Sequence, residues 1–191
     1  MTNFSSTYEL ETQPKYGRFD RKGQAMVAAR RLYRQTRSRS WLDKVRSALS
    51  GPPRQLLDLG QVHANCRGLG HRRLGTHMVP ISQVRGSTNG GRCRDFDADF
   101  RPLKSHNEAR WLGVASAWLQ GAKLSPVALV QVGSVYFVED GHHRLSVAKA
   151  LGKTQIEAVV TVWKLAGPLP WEETMGELHR HRWADVVPQK A

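Results

Sequence analysis

The sequence predicts an α/β (α+β) chain in which a small mixed sheet carries helices, with a basic helical N-terminal extension and a C-terminal helix. Three observations predict it. Runs rich in β-branched residues at 127–132, 135–138 and 156–163 alternate with helical patterns at 105–121 and 143–151. Glycines stand where those segments must turn or stop, at Gly121, Gly133, Gly141 and Gly152. Positive charge gathers ahead of this block, in the first 77 residues.

In chain order, residues 1–20 carry little apolar periodicity and are expected to form a poorly ordered lead-in. A basic helix is expected over 21–36, with Met26, Val27, Leu32 and Tyr33 toward a core. Arg30, Arg31, Arg34 and Arg37 are expected to point outward. Ser40 and Asp43 signal a second helix, striped by Trp41, Leu42, Val45 and Leu49 and stopped at Gly51-Pro52-Pro53. Tyr33 and Trp41 fit either packing between these helices or stacking on bases. Gln55–Leu59 reads as a short strand, and the glycine-bearing stretch 61–77 as a loop or linker.

The texture changes at Met78, giving three expected regions: 1–77 basic and mainly helical, 78–163 an α/β core, and 164–191 a helical tail. Val79–Val84 enters as a short strand or helical turn, and a glycine-rich loop follows over 85–91. Ser105 and Glu108 have capping-box spacing ahead of a helix faced by Trp111, Val114, Ala115, Trp118 and Leu119. The Gly133-Ser134 pair suits a hairpin turn between two strands. A helix from about His143 to Leu151 is capped by Gly152, and a strand follows at Ile156–Trp163. The tail, with Trp171, His179, His181 and Trp183, reads as one amphipathic helix.

The net charge is +13 and the pI about 10.4, which points to a polyanionic partner: nucleic acid or an anionic membrane surface. Residues 1–77 hold fifteen Lys and Arg against five Asp and Glu, whereas the remainder holds fourteen against eleven. The first part therefore reads as an arm that grips a phosphate backbone without reading sequence. Two cysteines make no disulfide framework, and no apolar run approaches the ~20 residues of a membrane span. No basic flank and apolar run opens the chain, so the cytoplasm is expected, with peripheral contact at the inner face of the membrane as its variant. His63, Cys66, His71, His77 and Cys93 match no tight zinc spacing.

Chemistry concentrates in Val138-Glu139-Asp140-Gly141-His142-His143-Arg144. An apolar strand ends in two acids, the chain turns at a glycine, and a helix starts with His-His-Arg. A helix start presents unsatisfied N–H groups and a positive dipole end. Gly141 lets the backbone approach a phosphate, Arg144 can grip two of its oxygens, and His143 can donate to a third. Glu139 and Asp140 suit a divalent metal or a base toward water, and His142 suits a proton shuttle. An ordinary turn with acids paired to His142 and Arg144 would leave the same sequence. Asp95 and Asp97 fit either a metal or a solvated strand edge.

The segment Asp140-Gly141-His142-His143-Arg144-Leu145-Ser146-Val147-Ala148-Lys149-Ala150-Leu151-Gly152 resembles the signature of the ParB/sulfiredoxin superfamily. The likeness extends upstream through Pro80–Ser87 and the 126–138 hairpin, and covers roughly residues 78–163. It implies a fold that binds nucleoside triphosphate with this loop and helix start. Arg85, Ser87 and Arg94 would then face the nucleotide beside Gly141, His143 and Arg144. The catalytic set would be Glu139, Asp140, His142 and His143, with Mg or Mn on the two acids.

Sulfiredoxins carry a cysteine where this chain has His142, so sulfinic-acid repair is not implied. No helix-turn-helix pattern follows residue 163, which argues against a centromere reader. The size, basic N-terminal half and Asp-Gly-His-His-Arg form resemble most closely the fertility-inhibition proteins of conjugative plasmids. That implies ATP hydrolysis, DNA cleavage and a block on DNA transfer through a type IV secretion system. Partners would be DNA and either a secretion coupling protein or the transferred DNA complex. Two other readings share the site: a non-enzymatic, nucleotide-gated regulator binding DNA or a partner, and a phosphotransferase using ATP.

Overall fold

The computed structural model describes residues 17–50, 55–64, 66–167, 169 and 171, with side chains in the first helix described from 21 to 39. The lead-in before Gly17 and the expected tail helix with His179, His181 and Trp183 lie outside the described residues. So do the side chains of Trp41, Leu42, Val45 and Leu49.

Six strands form one mixed sheet: β1 Leu57–Asp58, β2 Arg67–Pro80, β3 Val84–Ser87, β4 Val127–Val132, β5 Val135–Asp140 and β6 Gln155–Ala166. Their spatial order is β1-β3-β5-β4-β6-β2. β1, β3 and β5 run parallel to one another, β4 runs antiparallel to β5 and parallel to β6, and β2 closes the far edge antiparallel to β6. The described helices are α1 Gly17–Ser50, α2 Leu59–Ala64, α3 Gly90–Cys93, α4 Glu108–Leu119 and α5 His142–Ala150. Short 3₁₀ turns occupy 81–83 and 105–107.

The mixed α/β class expected from the sequence is present, and so is the hairpin of β4 and β5 followed by α5. Val127, Leu129 and Val138 point to one face of the sheet with Val79, Ile156, Ala158 and Val160, and pack with Phe96, Phe100 and Leu145. Val130, Val132, Val135 and Phe137 point to the other face and pack with Leu59, Val62 and Leu169. A sheet buried on both faces reads as nearly continuous apolar strands, which is how β4 and β5 read.

Two expected N-terminal helices are one. α1 runs unbroken through Ser38-Arg39-Ser40, because nothing between Gly23 and Gly51 is a glycine or proline that would stop it. It docks on α4 through Ala29 and Tyr33, which pack against Trp111, Leu112 and Ala115. The Trp111 indole is fully buried and donates to Ser146 Oγ at 2.8 Å, which ties α4 to α5. Tyr33 is buried with its ring centroid 5.3 Å from that of Trp111, so its role is packing. Val27, expected in the core, is exposed.

The largest correction falls on 61–77. The expected loop is a short helix and a strand of 14 residues that continues through Met78 to Pro80. The boundary at 77/78 therefore falls inside an element, and β1 and β2 belong to the same sheet as the strands after residue 78. The core also extends past 163, since β6 ends at Ala166. The glycine-rich stretch 85–91 is likewise shorter as a loop than expected, because Arg85–Ser87 pair in β3 and α3 starts at Gly90. The capping box at Ser105 is not made: the chain enters α4 through the 3₁₀ turn, with no side-chain cap.

Candidate anion site at three strand-to-helix turns

Because β1, β3 and β5 are parallel, their carboxyl ends share one edge of the sheet. Each leads within a few residues into a helix: Asp58 into α2, Ser87 into α3, and Asp140 into α5. Crevices at the carboxyl ends of parallel strands are where α/β sheets hold ligands. The first two helix starts are closed by their own side chains. Asp58 Oδ1 accepts the Gly60 amide at 2.9 Å. Asn89 Oδ1 accepts the amides of Gly91 and Arg92.

The third is open. Gly141 precedes α5 with φ 95° and offers no side chain to cap it. The first helical bond runs from the Leu145 amide to the Gly141 carbonyl, so the amides of His142, His143 and Arg144 lie ahead of the ladder. A Cβ on Gly141 would stand 2.6 Å from Val127 Cγ1 and 3.0 Å from the Arg144 guanidinium, so glycine is required there by space as well as by φ.

Both histidines of this turn are buried against Phe96, which sequence reading missed. His142 stacks on the ring at 5.9 Å and His143 meets it edge-on at 5.3 Å. His142 Nε2 shares a 2.8 Å hydrogen bond with Ser87 Oγ, which also accepts the Asn89 amide. The bond fastens the end of β3 to the start of α5. His143 Nδ1 is buried with no hydrogen-bond partner among the described residues.

Burial pushes His142 down to about 4, and the nearby charge of Arg92 acts in the same direction. Burial also pushes His143 down to about 4, with Arg110 and then Arg92 adding to it. The near-neutral shuttle expected at His142 is thus corrected: the imidazole is neutral at pH 7 and a weak base, because its charged form would lose solvent.

Arg92 and Arg110 are cations of this site that the sequence did not single out. Both lie close enough to the histidines to oppose their protonation, and would attract an anion at the turn. Asp95, buried beside Phe96, takes ion pairs from Arg92 at 3.2 Å and Lys104 at 3.4 Å, and has His106 Nε2 at 3.4 Å. Burial works against its charge, but the bonds from Lys104 and His106 outweigh it and hold the carboxyl below its usual range. Asp95 is therefore an anchor for cations; Asp97 Oδ1 closes its own turn onto the amides of Asp99 and Arg101.

The remaining expected residues lie as follows. Arg144 donates to the carbonyls of Ser125 at 2.7 Å and Pro126 at 2.8 Å, and to Asp140 Oδ2 at 2.6 Å. Its guanidinium lies beside Gly141 at the helix start and is held there by the entry to β4 and by Asp140. Glu139 is the extra residue of a bulge, since Leu129 pairs with Val138 and Ala128 with Asp140, and both acids are exposed. Their oxygens suit a hard divalent ion shared with a phosphate, not a closed cage of protein ligands. Among the described residues, no three His, Cys, Asp or Glu side chains converge as a metal set.

Ser87 is fully buried and reaches the site through His142 and the Val138 carbonyl, while Arg85 and Arg94 are exposed and are not in its hydrogen-bond network. Arg30, Arg31, Arg34 and Arg37 are exposed on α1, with Arg37 6.0 Å above the Tyr33 ring. No helix of the described residues is long and apolar enough to cross a membrane. Comparison with protein-family models, with curated proteins and with solved structures returns no match.

Proposed function

We propose that the chain binds the phosphates of a nucleoside triphosphate at the start of α5 and hydrolyses them, and that it also binds and cleaves DNA. One observation carries this reading: the α5 start has no side-chain cap, while the buried His143 Nδ1 beside it has no partner among the described residues. An anion there would meet backbone amides, a positive helix end and the charges of Arg92 and Arg110. The neutral histidines can donate to it without repelling a metal.

In this reading Gly141 and the amides of His142–Arg144 seat a phosphate, and His143 donates to one of its oxygens. Glu139 and Asp140 stand at the mouth, where they would hold Mg or Mn or orient water. A divalent ion bound there would neutralise charge developing on the transferred phosphoryl group. The exposed arginines of α1 hold the DNA backbone irrespective of sequence. The resemblance to the ParB/sulfiredoxin superfamily supplies the biological setting: inhibition of conjugative transfer through a type IV secretion system, at a coupling protein or on the transferred DNA.

A second reading rests on Arg144. Its guanidinium is already held by Ser125, Pro126 and Asp140. If it leaves those partners for a phosphate, β4 loses a brace, and nucleotide acts as a conformational signal rather than a substrate.

Incubation of the purified chain with ATP or CTP, and separately with plasmid DNA, in Mg or Mn tests both. Glu139→Ala in an enzyme removes turnover and leaves nucleotide affinity; a regulator binds nucleotide with no turnover to lose. Absence of both binding and turnover sinks the proposal.

A further inference from the structure

β2 is an edge strand, paired only with β6. Of its 14 residues only Val79 is buried, so its sequence is not explained by the core. It carries three arginines and two histidines and no acid. Among the described residues, Arg67, Arg72 and Arg73 are exposed and form no ion pair. The one acid on the facing strand, Glu157, pairs with Met78 at the opposite end from these arginines.

The ladder is interrupted twice, between Gly68 and Gly70 and between Arg73 and Gly75. The extra residue is a leucine each time. Leu69 is 59% exposed and Leu74 37%, and each precedes a glycine with positive φ, 120° at Gly70 and 90° at Gly75. Leu-Gly thus recurs five residues apart, and each copy extrudes an apolar side chain: Leu69 between Arg67 and Arg72, Leu74 directly after Arg73. Bulges and like charges on an open edge block pairing with a second copy of the same strand. They do not block a polyanion.

From these features we infer that the β2 edge is a docking surface for double-stranded DNA. Arg67, Arg72 and Arg73 hold backbone phosphates, Leu69 packs into the groove between Arg67 and Arg72, and Leu74 packs into it just past Arg73. Six residues of strand span about 20 Å, enough for several phosphates at ~3.4 Å of axis per charge on each strand. Apolar wedges beside arginines are a means of gripping the minor groove. The inference deepens the DNA-binding part of the proposed function and is independent of chemistry at α5.

The test is fluorescence anisotropy of the full chain on a mixed-sequence duplex of ~25 base pairs across a KCl series. The variant R67Q/R72Q/R73Q should bind at least ten-fold more weakly. Each lost phosphate contact removes about 0.9 from the salt slope, so that slope should fall by about 2 to 3. L69S/L74S should lose affinity several-fold with its slope unchanged. Thermal melts check that all variants fold, and hydrogen exchange on the unmutated chain should show duplex-dependent protection in 67–76.

Wild-type affinity and slope in the arginine variant overturn the inference, as does protection confined to α1 or preference for a single strand. If the unmutated chain binds no duplex, the DNA part of the proposed function fails with it. Nucleotide binding at α5 is read separately and decides the rest.

Discussion

Ser87 Oγ and His142 Nε2 lie 2.8 Å apart across 55 residues of sequence, both buried. The bond joins the end of one parallel strand to the helix start that follows the next. It makes the geometry of the turn a property of the sheet, not of the turn alone. Ser87→Ala leaves His142 Nε2 buried without that partner. The expected cost is about 1 to 3 kcal/mol, read as a lower urea midpoint with an unchanged m-value. Ser87→Thr should recover part of the loss if the hydroxyl can be seated, whereas equal stability of Ser87→Ala and wild type would contradict the bond.

Gly141 cannot be replaced quietly. Gly141→Ala puts a methyl against Val127 and Arg144 at a φ of 95°. It should destabilise the fold by about 1 to 3 kcal/mol and weaken nucleotide binding more than a distant substitution of equal cost. Calorimetric titration of ATP into both proteins, at a temperature where both are folded, separates the two effects.

Acid should loosen the fold before the carboxylates titrate. His142 and His143 fall to about 4 in the native chain, while unfolded imidazoles titrate near the ordinary 6.5. Between those values the unfolded state binds more protons, so stability is complete above about pH 6.5 and declines as pH falls toward 4. Each imidazole contributes a slope of at most about 1.4 kcal/mol per pH unit. Urea unfolding at pH 7, 6 and 5 should show the decline, and His143→Phe should flatten it. A flat profile in wild type would remove the buried, neutral pair from the account.

Arg144 joins both proposed readings. Arg144→Ala removes the donor to Ser125 and Pro126, so it should lower stability by about 1 to 3 kcal/mol as well as weaken nucleotide binding. Arg144→Lys keeps the charge but not the fork. If Lys restores nucleotide affinity while stability stays low, the guanidinium is a brace and charge is what the ligand needs.

Sequence reading reached the parts of the fold whose burial is two-sided or whose turns need glycine. Val127–Val132, Gly133-Ser134, Val135–Val138 and Gly141 identified the hairpin and the turn into α5 without ambiguity. β2 escaped it because an exposed edge strand has no buried alternation: only Val79 reaches the core, and glycines at the bulges look like loop residues. The length of α1 was obscured by Ser40, because serine is as common at a helix cap as within a helix that runs on. At the site, Gly141, His142 and His143 were legible from local spacing. Phe96, Arg92 and Arg110 were not, because they come from segments 30 to 50 residues away that only the sheet brings alongside. Arg144 was visible as a cation, but its carbonyl partners belong to the approach to β4.

The central claim is that phosphate enters at the uncapped start of α5. Amide NMR of the isotopically labelled chain titrated with ATP, with and without Mg, tests it most directly. The largest shifts are expected at His142, His143 and Arg144, accompanied by a change at the His143 ring nitrogens, and R92Q/R110Q should weaken the titration. Saturable binding that leaves those amides still while others shift would place the ligand elsewhere and contradict the assignment.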